Sequence, residues 1–345
     1  MSDTKNIEVC MASYKDIIES NNSIYCRFFA SNDIVRTWAE EGKIHKSWSD
    51  TYSKISGNSF CLEPRKTGGK GEGNFSTLCN RFGIIDRDLF EKKYNQAVSG
   101  DGQEWKRITT LHSSSLLALL CFYSVSEEHP LEYKGYRFTE SFFEVKTPVM
   151  GTHNSNMDVV LRGKNMLTGK HVTLFLESKF SEYLNSGKYD GINAEVYRET
   201  YSKLGLLGDR PVITPLIFQE EDGNGITITS EKRGYYCGGI KQMISHYIGV
   251  SHYRNDGASA TTEKQSFKRH DNEEVILSEI LYELPREVDT YDKFGKYADT
   301  YRQLAAVINS KQDKFRMADE VLTYQELLGD GKFIQEDTIR KFYSL

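Results

Sequence analysis

The tripeptide Glu-x-Lys occurs at Glu41/Lys43, Glu91/Lys93, Glu104/Lys106, Glu132/Lys134, Glu144/Lys146 and Glu177/Lys179. The spacing alone carries no chemistry, and context separates the six. Only Glu177/Lys179 directly follows a long apolar β-type run, Val172-Thr173-Leu174-Phe175-Leu176, and has a lone aspartate, Asp158, in the run before it. Strand side chains alternate faces, so Glu177 and Lys179 share one side and Ser178 takes the other. In an antiparallel hairpin Asp158 stands beside them. A carboxylate amid Met157, Val159, Val160 and Leu161 loses hydration on folding, which is costly unless a partner or a cation offsets it. Two carboxylates on one side also repel, and a divalent cation removes that conflict. Asp and Glu are hard oxygen ligands for Mg²⁺, which lowers the pKa of a bound water and stabilises charge on a phosphate. Lys179 would orient the attacking water or neutralise the developing charge. The competing structural reading is a buried Asp–Lys pair that ties two strands together.

These residues need elements to position them. Ser113 to Val125 reads as a helix, apolar nearly all round and so buried, with a serine able to cap its start. Tyr136 to Val145 is aromatic and β-branched and is expected to end at Thr147-Pro148. Met157 to Leu161 and His171 to Leu176 are further strands, and Gly163 and Gly169 between them suit a hairpin turn. The three together predict an antiparallel meander. A helical pattern follows over 192–204, then a strand over 211–218 and a turn at Asp222-Gly223-Asn224-Gly225, which fails as an EF-hand because its fifth position is Ile226. Gly238-Gly239 opens a helix from Ile240 to Val250, Glu274 to Leu284 reads as a strand, and 291–345 as two or three helices. Helix, three strands, helix, strand, with insertions, is an α/β arrangement: a central mixed β-sheet flanked by helices.

Length and composition bound the rest. The 345 residues suit one large decorated domain or two. Residues 1–105 read as an N-terminal extension packed on the core, 106–288 as the core, and 289–345 as a C-terminal helical extension. Hydrophobic content of 38% and charged content of 27% are those of a globular chain rather than a disordered one. The longest greasy stretch, Leu116 to Val125, is too short to span a bilayer, and the N-terminus lacks the pattern of a signal peptide; no membrane partner and a cytoplasmic location are the expectation. The six cysteines show no CxxC or zinc spacing and read as reduced thiols in or near the core. A net charge of −5 does not advertise a nucleic-acid binder, although a local basic groove is compatible with it. Lys188, Arg198, Lys203 and Arg210 are candidates for such a groove, against the commoner reading of solvated surface. The glycine-rich Lys66-Thr67-Gly68-Gly69-Lys70-Gly71 lacks P-loop spacing and reads as a loop.

The runs Ser155-Asn156-Met157-Asp158-Val159-Val160-Leu161 and Phe175-Leu176-Glu177-Ser178-Lys179-Phe180 resemble the D…ExK signature of the PD-(D/E)XK, or restriction-endonuclease-like, nucleases. The run Glu177 to Glu182 is similar to a bacterial restriction-endonuclease-like family of largely uncharacterised proteins. Lys241-Gln242-Met243-Ile244-Ser245-His246-Tyr247 fits a helix that often follows the ExK strand and supplies a polar residue. The resemblance covers residues 110 to 285. It implies an αβββαβ core with insertions, Mg²⁺-dependent phosphodiester hydrolysis on DNA with Mn²⁺ able to substitute, a homodimer, and a restriction or defence role. On this resemblance Asp158 and Glu177 are metal ligands, and Asp158, Glu177, Lys179 and Gln242 form the catalytic set. His246, four residues beyond Gln242, shares its helix face. The proline that precedes the motif aspartate is Met157 here. The acid often found on the first helix is missing from Ser113 to Val125, and Glu144 is taken as its substitute ligand, with a surface or salt-bridge role as the equal alternative. Glu182, just past the ExK strand, reads as structural or as a support behind the site's own residues. Two other functions compete: a non-catalytic nucleic-acid-binding or interaction protein on the same fold, and an unrelated phosphodiesterase acting on small nucleotides.

Overall fold

The computed structural model describes residues 11–19, 24–47, 59–63, 72–99, 108–184, 195–207, 213, 216–221, 225–230, 237–262, 264–329 and 333–345. Its centre is a nine-stranded mixed sheet. In chain order the elements that build the site are α1 (Ser114–Phe122), β1 (Tyr136–Met150), β2 (His153–Asn165), β3 (His171–Lys179), α2 (Cys237–Asn255) and β4 (Glu274–Leu281). β1, β2 and β3 form the antiparallel meander, and β4 lies parallel to β3, as its crossover through α2 requires. The chain is therefore mixed α/β with a central mixed sheet flanked by helices.

The sequence explains these elements locally. In α1 the Ser113 hydroxyl accepts the Leu116 N–H at 3.0 Å, and every residue from Leu116 to Phe122 is buried, as an all-round apolar helix must be. β3 is buried at every position after His171, because helices cover both faces; this is why it reads as a continuous apolar run. The Ser178 hydroxyl donates to the Ser114 carbonyl of α1 at 3.1 Å, whereas Glu177 and Lys179 meet α2 on the other face.

Several boundaries differ from the sequence expectation. β1 does not end at Thr147-Pro148 but continues through Pro148 to Met150. The neighbouring strand Ala260–Thr261 pairs with it only through Lys146, so the missing N–H of Pro148 breaks no bond on that side. Gly169, with φ 69°, makes the turn between β2 and β3, but Gly163 lies inside β2 opposite Phe138. A Cβ at Gly163 would stand 2.0 Å from the Arg137 carbonyl oxygen, so glycine is required there for close approach of two backbones rather than for a turn.

The insertion between β3 and α2 contains a helix, Glu195–Leu204, and a separate hairpin, Leu216–Glu221 with Gly225–Ser230. Pro211 and the turn residues 222–224 lie outside the described residues. After β4, the stretch expected to be helical does supply α3 (Lys293–Lys311) and the short helices Tyr324–Leu327 and Asp337–Tyr343. It also supplies two short strands, Arg316–Met317 and Leu322–Thr323, parallel to β4. They cover an edge of β4 that would otherwise present unpaired backbone groups. The N-terminal helix Ile24–Phe29 packs its Phe28 ring 5.7 Å from Phe180 and 5.4 Å from Tyr282, just past the ends of β3 and β4. Cys26, Cys61, Cys79 and Cys121 are buried. Cys10 and the glycine-rich stretch 66–71 lie outside the described residues. Among the described residues no helix is long and apolar enough to cross a membrane.

Gly163→Ala is expected to destabilise the protein by about 3 kcal/mol, since the obstruction is backbone and cannot rotate away. Urea unfolding checks this; an unchanged midpoint would show that β1 and β2 tolerate a wider separation.

Candidate active site

The last backbone rung between β2 and β3 is Val159 with Leu176, so Asp158 and Glu177 are the next facing pair, where the ladder stops. In place of a backbone carbonyl, the Asp158 carboxylate accepts the Ser178 N–H at 2.7 Å. Glu177 is 4% exposed and Lys179 5%, whereas Asp158 is half-buried. Lys179 donates from Nζ to Glu177 Oε1 at 2.5 Å and to Gln242 Oε1 at 2.8 Å. His246 Nε2 meets Glu177 Oε2 at 2.9 Å, and its Nδ1 meets the Ser155 hydroxyl at 2.5 Å. Nε2–H of His246 donates to the carboxylate, and the Ser155 hydroxyl is the hydrogen-bond partner of the second ring nitrogen. The described side chains thus form one chain: Ser155, His246, Glu177, Lys179, Gln242.

A close helix–sheet approach permits this. Gly249 lies one turn past His246, and a Cβ there would stand 2.1 Å from Thr147 Oγ1 and 3.4 Å from Ser155 Cβ. Any side chain at 249 would lift α2 from β1 and β2 and draw His246 away from Ser155. The pleat also slips by one residue at this level. Phe175, paired with Val160, meets Tyr253 of α2, yet Thr147 and Ser155 meet α2 as well, although they differ from Val160 in parity. Between them the rung joining Glu144 to Asp158 is missing, and Glu144 has φ 48°. A left-handed residue other than glycine costs about 1–3 kcal/mol and is held only where its surroundings fix it.

Electrostatics separate the two carboxylates. Burial pushes Asp158 well above the usual carboxylate range, the Glu177 charge adds to this, and Lys179 only partly opposes it. Burial would raise Glu177 too, but the charges and hydrogen bonds of Lys179 and His246 override it and hold Glu177 at about 2. A third carboxylate, Glu279 of β4, stands in register with Glu177 across the parallel pair and is fully buried. Burial raises it to about 8, against Lys179 and the single Tyr297 hydroxyl, which lies 2.9 and 2.8 Å from its two oxygens. Glu279 is therefore protonated at neutral pH.

Of the residues singled out from sequence, the structure brings together Asp158, Glu177, Lys179 and Gln242. Glu144 is 5% exposed and lies between the rungs Phe143–Val159 and Val145–Met157, beside the level of Asp158. Among the described residues, however, no group of three or more His, Cys, Asp and Glu side chains could hold a metal ion, so Glu144 does not complete a three-ligand set. The reason lies in its backbone, since a left-handed residue does not follow the pleat that would aim it with Asp158. Asp158 and Glu177 do suit a hard cation, because two carboxylates meet there and Asp158 lacks a full counter-charge. Both Glu177 oxygens are already engaged, so a cation would share Oε1 with Lys179. Glu182 is structural: its Oε2 accepts the Phe180 and Ser181 N–H groups at 2.8 and 2.9 Å just past β3. Lys203 pairs with Glu199 on the exposed face of its helix, Arg198 is half-buried on the same helix, and Lys188 and Arg210 lie outside the described residues.

Sequence reasoning placed His246 on the right helix face but did not join it to Glu177 and Ser155, and it missed Glu279. Ser155 sits three residues before Asp158, which strict alternation puts on the opposite face, and no local pattern announces the slip. Glu279 in Ile276-Leu277-Ser278-Glu279-Ile280-Leu281 repeats the lone acid in an apolar run that marked Asp158, so that signal was present. No protein-family model, curated protein or solved structure matches this chain.

Asp158, with its pKa raised in the fold, loses stability as pH rises above the ordinary aspartate value. Asp158→Asn is therefore expected to raise the Tm of the metal-free protein at pH 7 by at least about 2 °C. Glu279 follows the same sign: its contribution is complete below its ordinary 4.5 and is lost as pH rises toward about 8. Glu279→Gln should flatten the fall in stability across that window. Melting curves from pH 4 to 9 check both, and a lower Tm for Asp158→Asn would contradict the uncompensated charge.

Proposed function

We propose that this chain is a metal-dependent nuclease of the PD-(D/E)XK type that hydrolyses phosphodiester bonds in DNA. The observation that carries the reading is the convergence of Asp158, Glu177, Lys179 and Gln242 at the point where β2 and β3 part. The order α1, β1, β2, β3, α2, β4, with three antiparallel strands and a fourth parallel to the third, supports the αβββαβ core that the sequence resemblance implies.

Asp158 and Glu177 would hold Mg²⁺ or Mn²⁺, which supplies a water of lowered pKa and positive charge beside the phosphate. The chain's own residues do the positioning. His246, fixed by Ser155, holds Glu177 from Oε2, so the carboxylate cannot rotate freely. Gln242 accepts from Lys179 and keeps its ammonium at the carboxylate pair, where it can stabilise charge developing on a phosphate oxygen. Neutral Glu279 adds no third negative charge at neutral pH.

A second reading, a nucleic-acid-binding protein without catalysis, draws on the saturation of Glu177. Lys179 and His246 occupy both its oxygens, and the group is almost wholly enclosed. Such a network can serve as a buried ion pair that joins strands to helix.

Plasmid cleavage with Mg²⁺ or Mn²⁺, read together with calorimetric metal titration and melting curves, separates the two. Asp158→Ala should abolish metal binding and cleavage together. Lys179→Met should keep metal binding and slow cleavage by a factor of about 10²–10³. The non-catalytic reading gives no metal binding in the parent protein and a lowered Tm for Lys179→Met.

A further inference from the structure

Away from this cluster, the far end of the meander opens onto a cleft of about 750 Å³ lined by Arg137, Glu140, Arg162, Lys164, His171 and His270. Its most buried charged side chain is Arg162, 9% exposed. A guanidinium carries five N–H donors. Here Nε donates to the Thr173 hydroxyl at a long 3.4 Å, and Nη2 is buried without a hydrogen-bond partner. The nearest carboxylates, Glu140 at 3.9 Å and Glu273 at 3.7 Å, stand outside hydrogen-bond reach. Glu273 is already satisfied by the Thr173 hydroxyl at 2.5 Å and the Tyr253 hydroxyl at 3.0 Å. The Phe267 ring lies 5.0 Å from the guanidinium carbon, and among the described residues the buried Nη2 donors keep room for an acceptor from outside the chain.

The rest of the lining indicates what that acceptor is. Lys164 is exposed beside Arg162, and Arg137 adds a third cation, which Glu127 partly answers at 3.2 Å. His171 and His270 stack with ring centroids 3.9 Å apart and planes 13° from parallel, and the His270 side chain is exposed. Burial, then Arg162 and His171, lowers the pKa of His270 against the opposing charges of Glu273 and Glu140. A carboxylate would answer one cation only. A phosphate brings close to two charges and at least three acceptor oxygens, enough for Arg162 and Lys164 together. The imidazole pair offers a flat π surface on which a nucleobase can stack.

We propose that this cleft binds a nucleoside phosphate unit, free or within a strand, with its phosphate on Arg162 and Lys164 and its base against His270. Arg162 lies four residues from Asp158, about 14 Å along β2, so the two positions cannot share one phosphate. The assignment therefore does not depend on the nuclease reading.

Calorimetric titration of the full chain with inorganic phosphate, AMP and a short single-stranded oligodeoxynucleotide tests it. AMP should bind, and more tightly than phosphate alone. Lys164→Ala and Arg162→Lys should each weaken binding about tenfold or more, while Asp158→Asn leaves it unchanged. Lys164 is exposed, so its variant keeps the test valid if Arg162→Lys melts early. Binding of the oligonucleotide alone, with the same dependence on Lys164, assigns the cleft to a strand rather than a free nucleotide. The proposal fails if none of the three binds, if binding ignores Lys164 and Arg162, or if Asp158→Asn abolishes it. Absence of cleavage alongside intact AMP binding would sink the nuclease reading alone.

Discussion

An ionised carboxylate held on a strand that is covered on both faces is the constraint around which this structure is organised. Glu177 cannot keep its charge at 4% exposure without cations or donors on both oxygens. Lys179 supplies one from the same strand, two residues on, where the pleat returns to the same face. His246 supplies the other from α2, which requires α2 to lie close to the sheet, and that approach is possible only because position 249 is glycine. One buried charge thus ties β2, β3 and α2 into a single arrangement, in which Ser155 and Gln242 complete the hydrogen bonding.

Asp158 stands in the opposite condition. It lies where the β2–β3 ladder ends, its carboxylate accepts a backbone N–H, and the Glu177 charge opposes its ionisation more than Lys179 favours it. Glu279 answers the same pressure with a raised pKa, because burial outweighs Lys179 and the Tyr297 hydroxyl, which both favour its charge. Three carboxylates a few ångströms of sheet apart therefore take three different states: ionised and paired, raised and partly exposed, and neutral and sealed. Such separation of like groups by their surroundings is how one site comes to hold distinct chemical roles.

The same sheet face carries a second charged group with the reverse imbalance. At the far end of β2, Arg162 has donors to spare, while the adjacent Glu273 has none to accept from it within hydrogen-bond reach. The negative charge stands at one end, where Asp158 is half-buried, and the spare donors at the other, where Arg162 lines an open cleft.

Much of this was legible in the sequence. The apolar runs and their lone acids gave the strands, all-round apolarity gave the buried α1, and period-two alternation put Glu177 and Lys179 on one face. Those signals are local, because hydrophobic period and capping depend on residues a few positions apart. Tertiary structure decided what local periodicity cannot express. The left-handed backbone at Glu144 and the missing rung beside Asp158 shift the alternation, which brings Ser155 under α2 and keeps Glu144 out of a three-ligand set with Asp158 and Glu177. The pairing of Glu279 with Glu177 depends on β4 lying parallel beside β3, although nearly a hundred residues separate them in the chain. The charge state of each carboxylate follows from burial and from partners on other elements. A sequence fixes which groups can ionise, but only the packed fold fixes the dielectric and the neighbours that decide which of them do.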